Sequence, residues 1–391
     1  MSERLDRRDV LRGLSASAAA VLLSKNLFAF PAQKDGEELV PFLDTPRPGP
    51  NRLDWETLTE WLTPQDQVFN VQHYNTPTIK PEDYRLELTG LVDKPQTLTL
   101  DDIKKMPRQD QLMTLECSGN GASKGFSNAV YNSKWTGTPL KPLLESAGIK
   151  AGAVEVAFIG YDHQVEELRK GTPREVKFDV PFGRALSIHD ALTLDALLVY
   201  ERNGQPLEVR NGAPLRLIVP GWYGVANVKW LKRIEVRDRR YMGRYMARDY
   251  VTIRGERKGD QIEFIETSVA RMNLKSVVAR VMKQTAGADA GNFTAYGAVW
   301  GDGAPIKAIE VSVDGGEWKA AKVDAEPFDK FSWRFFSCPL GKLAAGKHKV
   351  VSRAISESGK IQPTAEDDEI ALKKTYWEAY QQWPREIEVS A

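Results

Sequence analysis

Apolar and polar residues alternate in YRLELTG (84–90), which predicts a strand. QLMTLEC (111–117) reads as a second strand, and AVEVAFIGYD (153–162) is apolar enough for a buried one. DWETLTEWL (54–62) places Trp55, Leu58 and Leu62 on one helical face, with Asp54 as the N-cap. LTLDDIKKMP predicts a short helix stopped by Pro107. TPLKPLLESAG predicts another, with Thr138 capping, Pro139 in the first turn and Gly148 just past the end. LLVYERNGQPLEV reads as a hairpin turning at Asn203-Gly204. LRLIVPGWYGVANVKWLKRIEV supplies two more strands joined by a glycine-bearing loop. These elements predict a mixed α+β domain over 38–260, without the regular strand–helix alternation of a doubly wound sheet. Beyond about 268 short strands follow one another. IKAIEVSVDGGEWKAAKV turns at Asp314-Gly315-Gly316, and FTAYGAVW, FSWRFFSCPL and HKVVSRAIS follow the same pattern. A β-sandwich over 268–391 is the expectation. Residues 34–51, rich in Pro, Gly and charge, read as an extended arm.

The 391 residues carry 54 basic and 53 acidic side chains, a formal net charge of +1. No field of that size drives general binding to nucleic acid or membranes, so a small molecule or another protein is the expected partner. The start of the chain changes the picture. RLDRRDVLRGLSASAAAVLL combines Arg7 and Arg8 with a short apolar run, and Lys25 interrupts what could otherwise become a longer span. A membrane helix needs roughly 20 apolar residues. Residues 1–32 therefore read as an export signal of the twin-arginine type, implying a periplasmic protein that folds before crossing. Such proteins commonly load a cofactor first. Cys117 and Cys338 lie far apart, and nothing in their spacing argues for a bridge. Neither a CxxCH haem site nor an iron–sulfur spacing is present.

LECSGNGASKGF (115–126) first suggests a nucleotide loop. A dinucleotide turn needs G-x-G-x-x-G between a strand and a long helix. Here one residue too many separates Gly121 from Gly125, and FSNAVYNSKWTG is no amphipathic helix. Lys124 precedes its glycine and no Ser or Thr follows in order, which removes the phosphate-loop reading. Cys117 remains, surrounded by small residues that let something bulky approach. Its thiolate suits a transition metal, while a buried structural cysteine is an equally good reading of the residues alone. A nucleophilic role has no helix start or His–Asn arrangement to support it.

MTLECSGN followed by WTGTPLKPLLESAGI resembles the molybdenum-binding core of the sulfite oxidase family. APLRLIVPGWYGVANVKWLKRIEV is a second and longer match. EVSVDGGEWKAAKV and FSWRFF resemble the family's immunoglobulin-like dimerisation domain. The resemblance runs in order from about Val68 to the C-terminus. It implies an α+β molybdopterin-binding domain of the sulfite oxidase type followed by an all-β immunoglobulin-like sandwich. It also implies a Mo-molybdopterin cofactor whose protein ligand is Cys117. FNVQH places Phe69, Asn70 and His73 beside the pterin, and Asp162 matches a pterin-bonding aspartate. Asn211 stands at a pterin-binding histidine position, and Arg216 with Asn227, Val228 and Lys229 matches the group holding the pterin end and its phosphate. Tyr250 matches the active-site tyrosine, where a phenol assists proton movement.

Two positions depart from the members that oxidise sulfite. Val71 and Ala122 stand where those enzymes keep arginines for the dianion. Charge-assisted hydrogen bonds to a buried anion are worth roughly 1.5–3 kcal/mol each. The loss disfavours sulfite unless Lys124, Arg248 or Arg334 substitutes. The expectation is therefore an exported homodimeric oxidoreductase that transfers oxygen at a less charged sulfur compound. Its electrons would pass to a separate carrier such as a c-type cytochrome. A sulfoxide-type reductase and a non-catalytic binding protein on the same fold are the alternatives.

Overall fold

The computed structural model describes residues 35–44, 52–122, 127–324 and 329–390. The expected export signal at 1–32 and Lys124 lie outside the described residues. Among the described residues no helix is long and apolar enough to cross a membrane.

Two sheets build the N-terminal unit. One orders Arg216–Ile218, Leu197–Arg202, Val130–Pro139 and Gln109–Glu116 side by side, all antiparallel, with Gln205–Pro206 off the Leu197–Arg202 strand. The other orders Gln96–Leu98, Leu86–Gly90, Leu231–Arg237, Glu155–Leu168 and Val176–Ser187. Its pairing of Leu231–Arg237 with Leu86–Gly90 is parallel, and the rest are antiparallel. The 219–230 loop thus carries the chain from one sheet to the other, which places its residues at the junction. The hairpin at Asn203-Gly204 forms as expected, with φ of 51° and 78° at the two turn residues.

The helices are short and strands predominate, so the α+β expectation is corrected to a mostly β unit. The longest helix among the described residues, Leu140–Ala147, has eight residues. Its cap is Pro139 rather than Thr138, because Thr138 lies within the Val130–Pro139 strand and donates its hydroxyl to the Pro107 carbonyl at 2.9 Å. Leu100–Lys105 is helical as expected, closed by a reciprocal capping box between Thr99 and Asp102. Residues 54–62 form no helix. Their flanks bond other strands instead: Leu53 N–H to Asn128 O at 3.1 Å and Thr63 N–H to Asn132 O at 2.9 Å. This pairing lets Leu53, Trp55 and Leu58 all be buried, which one helical face would not require.

The C-terminal unit has two antiparallel sheets sharing one core. The first orders Glu37–Val40, Lys275–Gln284, Asn292–Trp300, Arg334–Lys342 and Lys322–Val323. The second orders Lys319–Ala320, Ile306–Val313, Gly346–Ser356 and Arg385–Val389. Val281, Phe293, Ile309, Phe336, Val350 and Ile387 meet between them. Glu37–Val40, read as part of an extended arm, therefore adds an edge strand to this unit. Cys338 is fully buried in the same core, and both cysteines are free.

A tryptophan cluster joins the units. Trp55 stacks on Trp300 at 5.9 Å and leans on Trp333 at 5.7 Å. Trp61 and Trp333 exchange indole hydrogen bonds to each other's carbonyls at 3.2 and 3.0 Å. Removing such a side chain leaves a cavity that the flanking sheets cannot close. Trp333→Ala is expected to cost about 3–5 kcal/mol in denaturant unfolding, with a loss under 1 kcal/mol arguing against the junction.

Candidate functional site

The Gln109–Glu116 strand delivers Cys117 to the sheet edge, where the chain folds back on itself. Cys117 N–H bonds Ala129 O at 2.9 Å, and Cys117 O accepts the Asn120 N–H at 2.9 Å. The Asn120 side chain closes the turn by accepting the Ala129 N–H at 3.0 Å. The sulfur faces an open cleft. Burial pushes the thiol pKa up, opposed by the Gly119 N–H, which favours the thiolate.

The other end of the cleft is built for an anion. Arg216 is buried, and its guanidinium bonds the carbonyls Asn211 O and Asn227 O, both at 3.0 Å, with the Tyr131 hydroxyl also beside it. Its Nε has no partner. Lys229 donates to Asn70 Oδ1 at 2.9 Å and Arg210 O at 3.1 Å. Desolvation, then the neighbouring Arg216, hold its ammonium down to about 7. Neither cation forms an ion pair with a described carboxylate. Gly212, at φ 101°, keeps the cradle open, since a Cβ there would sit 3.0 Å from Lys229 Cβ and 3.2 Å from Arg216 Cβ.

Asp162 enters from the second sheet. Register between Glu155–Leu168 and Val176–Ser187 shifts between Ile159 and His163, and the irregular residues turn Asp162 into the cleft. Gly160 makes room for its carboxyl, because a Cβ would fall 2.2 Å from Asp162 Oδ1. That oxygen has no partner, and burial lifts the acid to about 7.

Near the sulfur end, Tyr250 Oη meets His73 Nε2 at 2.8 Å. His73 stacks on Tyr245 at 4.4 Å, and burial lowers its pKa, so the ring is neutral at pH 7. Burial raises the Tyr250 phenol above its ordinary value and keeps it protonated. Tyr250 holds a left-handed backbone at φ 58°, fixed where its carbonyl accepts the Val269 N–H at 2.9 Å. Its ring stacks on Trp377, from the far end of the chain, at 4.2 Å.

Phe69, Asn70, His73, Cys117, Asp162, Asn211, Arg216, Asn227, Lys229 and Tyr250 all line this one cleft. Val228 does not. Its side chain is fully buried in the core, because the strand-like backbone spends its carbonyl on the Leu217 N–H at 2.8 Å. Asn227 is engaged in holding the loop, donating to Trp222 O and Tyr223 O and accepting the Val219 N–H. Val71 lines the cleft, whereas Ala122 borders a separate one shared with Gly121 and Lys275. Arg248 is tied to Glu166 at 3.2 Å and Arg334 to Asp324 O at 2.8 Å, so neither replaces the missing cations. Sequence reasoning missed Gln72, Ser118, Tyr131 and Phe182 in the lining, and Trp377 behind Tyr250. The aromatic density of TYWEAYQQW was the available signal for the last.

Among the described residues no group of three or more His, Cys, Asp or Glu could hold a metal. A metal at Cys117 needs ligands from a larger group, and the far end of the cleft offers the buried Arg216, with its unpartnered Nε, and the half-buried Lys229 for an anionic terminus. The residues fit a pterin phosphate in that place.

Family comparisons give the same class. The oxidoreductase molybdopterin binding domain matches residues 73–245, and the Mo-co oxidoreductase dimerisation domain matches 266–378. Mitochondrial sulfite oxidase of Rattus norvegicus is 29% identical over 330 residues, covering 79% of this chain and 58% of that protein. That of Drosophila melanogaster is 30% identical over 332 residues, covering 78% and 56%. Sulfite oxidase of Arabidopsis thaliana is 28% identical over 339 residues, covering 78% and 83%. The chain thus spans 58% of the length of the rat protein. The solved sulfane dehydrogenase SoxCD from Paracoccus pantotrophus shares the fold, with a TM-score of 0.71 at 23% identity over 91% of this chain and 90% of that one. A cysteine-tipped cleft ending in an anion cradle, on these two matched units, defines a molybdopterin-binding protein. The chain belongs to the sulfite oxidase family, and its cofactor is molybdenum-molybdopterin.

The cleft makes stability pH-dependent in the cofactor-free protein. Asp162, raised from 3.8 to about 7, gives the folded state the extra proton between those values, so stability falls as pH rises through that window. Lys229, lowered from 10.5 to about 7, gives the unfolded chain the extra proton, so stability rises again above about 7. The contribution of this pair is expected to be least favourable near pH 7. Melting temperatures across pH should show Asp162→Asn flattening the acid limb and Lys229→Met the alkaline limb; unchanged limbs would contradict the assignment.

Proposed function

We propose that this protein is an exported molybdopterin oxidoreductase that transfers an oxygen atom at a sulfur compound less charged than sulfite. Its electrons leave one at a time to a separate carrier such as a c-type cytochrome. The observation that carries this reading is a single cleft with Cys117 and Tyr250 at one end and Arg216 with Lys229 at the other. Domain limits of 38–260 and 268–391, an immunoglobulin-like character for the second unit, homodimerisation through it, and periplasmic residence complete the proposal. Dimerisation is supported by the family match over 266–378. The name of its fold neighbour, a sulfane dehydrogenase, supports a sulfur substrate other than sulfite.

When bound, the cofactor supplies a two-electron oxo centre ligated by the Cys117 sulfur. The chain's own groups do the rest. Arg216 and Lys229 neutralise the phosphate end, and Asp162 supplies a hydrogen-bonding group from the facing sheet. Tyr250 Oη stays protonated and donates toward substrate oxygen, with His73 Nε2 as its proton partner at 2.8 Å. Val71 in the cleft lining offers apolar contact to a soft sulfur atom.

Molybdenum analysis of the exported protein, with Cys117→Ser as control, and a substrate screen with an artificial electron acceptor test this reading. Absence of molybdenum from the wild type, despite working cofactor synthesis, would sink it. Tight sulfite turnover would sink the substrate assignment alone. Val71→Arg restores one charge-assisted contact of about 1.5–3 kcal/mol, so the KM for sulfite should fall roughly 10- to 150-fold.

A further inference from the structure

We infer that the C-terminal unit sets the orientation of the Cys117 sulfur through a buried ion pair, with Lys275 as a positioning residue for the metal ligand. The inference rests on the reading of Cys117 as that ligand. Glu116 directly precedes Cys117 and is fully buried. Its Oε1 accepts from Lys275 Nζ at 2.6 Å and from Asn120 Nδ2 at 2.8 Å, and its Oε2 accepts from Trp300 Nε1 at 2.8 Å. Lys275 Nζ also donates to Asn120 O at 3.0 Å. One ammonium therefore grips the residue before Cys117 and the third residue after it.

Lys275 and Trp300 face each other on adjacent strands of the C-terminal unit, so the grip comes from outside the cofactor-binding sheets. Successive side chains on an extended strand point to opposite faces. Fixing Glu116 toward the C-terminal unit fixes Cys117 toward the cleft. Gly121, at φ 88°, serves the same contact, since a Cβ there would lie 3.2 Å from Lys275 Nζ. Two further tethers arrive from the end of the chain: Glu378 N–H to Ser118 O at 2.7 Å and Gln381 Nε2 to Gly121 O at 3.0 Å. A buried ion pair is weak evidence for stability, because apolar replacements of equal volume often stabilise as well. What this pair provides is direction, at the one turn where direction decides which way a sulfur points.

The test is the rate at which iodoacetamide alkylates Cys117 in cofactor-free Lys275→Met, with Cys117→Ser giving the background from Cys338. The expected result, at unchanged circular dichroism, is alkylation about tenfold faster than wild type, because the loop opens locally. Lys275→Arg should return the rate toward wild type. In loaded protein the Mo(V) electron paramagnetic resonance signal should shift in Lys275→Met and recover in Lys275→Arg. A folded Lys275→Met whose Cys117 reacts at the wild-type rate would overturn the inference. Should that variant not fold, Glu116→Gln/Lys275→Met, which strands no charge, carries the same readout. Alkylation reports on the loop with or without molybdenum, so failure of the cofactor reading and failure of this one are separable.

Discussion

Holding the buried Arg216 beside the half-buried Lys229, with no described carboxylate ion-paired to either, is the constraint around which this protein is organised. Arg216 and Lys229 sit where water is scarce, and carbonyl dipoles are the main groups meeting their charge. Such an arrangement is costly in isolation and becomes favourable when an anion fills it. The 219–230 loop must therefore be held hard, and Asn227 spends its whole side chain doing so. That loop also crosses from one sheet to the other, so the anion cradle and the junction of the sheets are one structure.

The opposite end of the cleft is stabilised differently. The Cys117 turn is small, rich in glycine and serine, and lacks a core of its own. Its rigidity comes from the C-terminal unit, through Lys275, Trp300 and the chain end near Glu378. Tyr250 receives the same support from Trp377. A sandwich that looks separate from the chemistry in sequence thus braces both groups at the reacting end. The tryptophan cluster of Trp55, Trp300 and Trp333 makes that bracing rigid.

Legibility followed the range of the interactions. The Thr99–Asp102 capping box and the Asn203-Gly204 turn depend on neighbours in sequence, and both were readable. The 54–62 segment was misread because its helical spacing of Trp55 and Leu58 was real, while its backbone partners, Asn128 and Asn132, were 70 residues or so away. Thr138 was misplaced by one residue for the same reason, its hydroxyl being claimed by Pro107 O. In the site, Cys117, Arg216, Lys229 and Tyr250 were legible through motif order. Val228 stood in the same motif, yet its side chain faces the core. Motif membership does not say which way a side chain points.

By itself the sequence determined the cofactor chemistry. A lone cysteine after an apolar strand and a basic pair in a glycine-bearing loop are local in composition, and family resemblance gave them meaning. Only the tertiary structure decided how the cleft works. It turned Asp162 inward through a strand irregularity, paired Tyr250 with His73 across 177 residues, and joined Glu116 to Lys275 across 159. Those contacts depend on burial and on the meeting of two sheets with a sandwich. Desolvation, which sets the charge state of Asp162 and Lys229, exists only once the chain has closed around them.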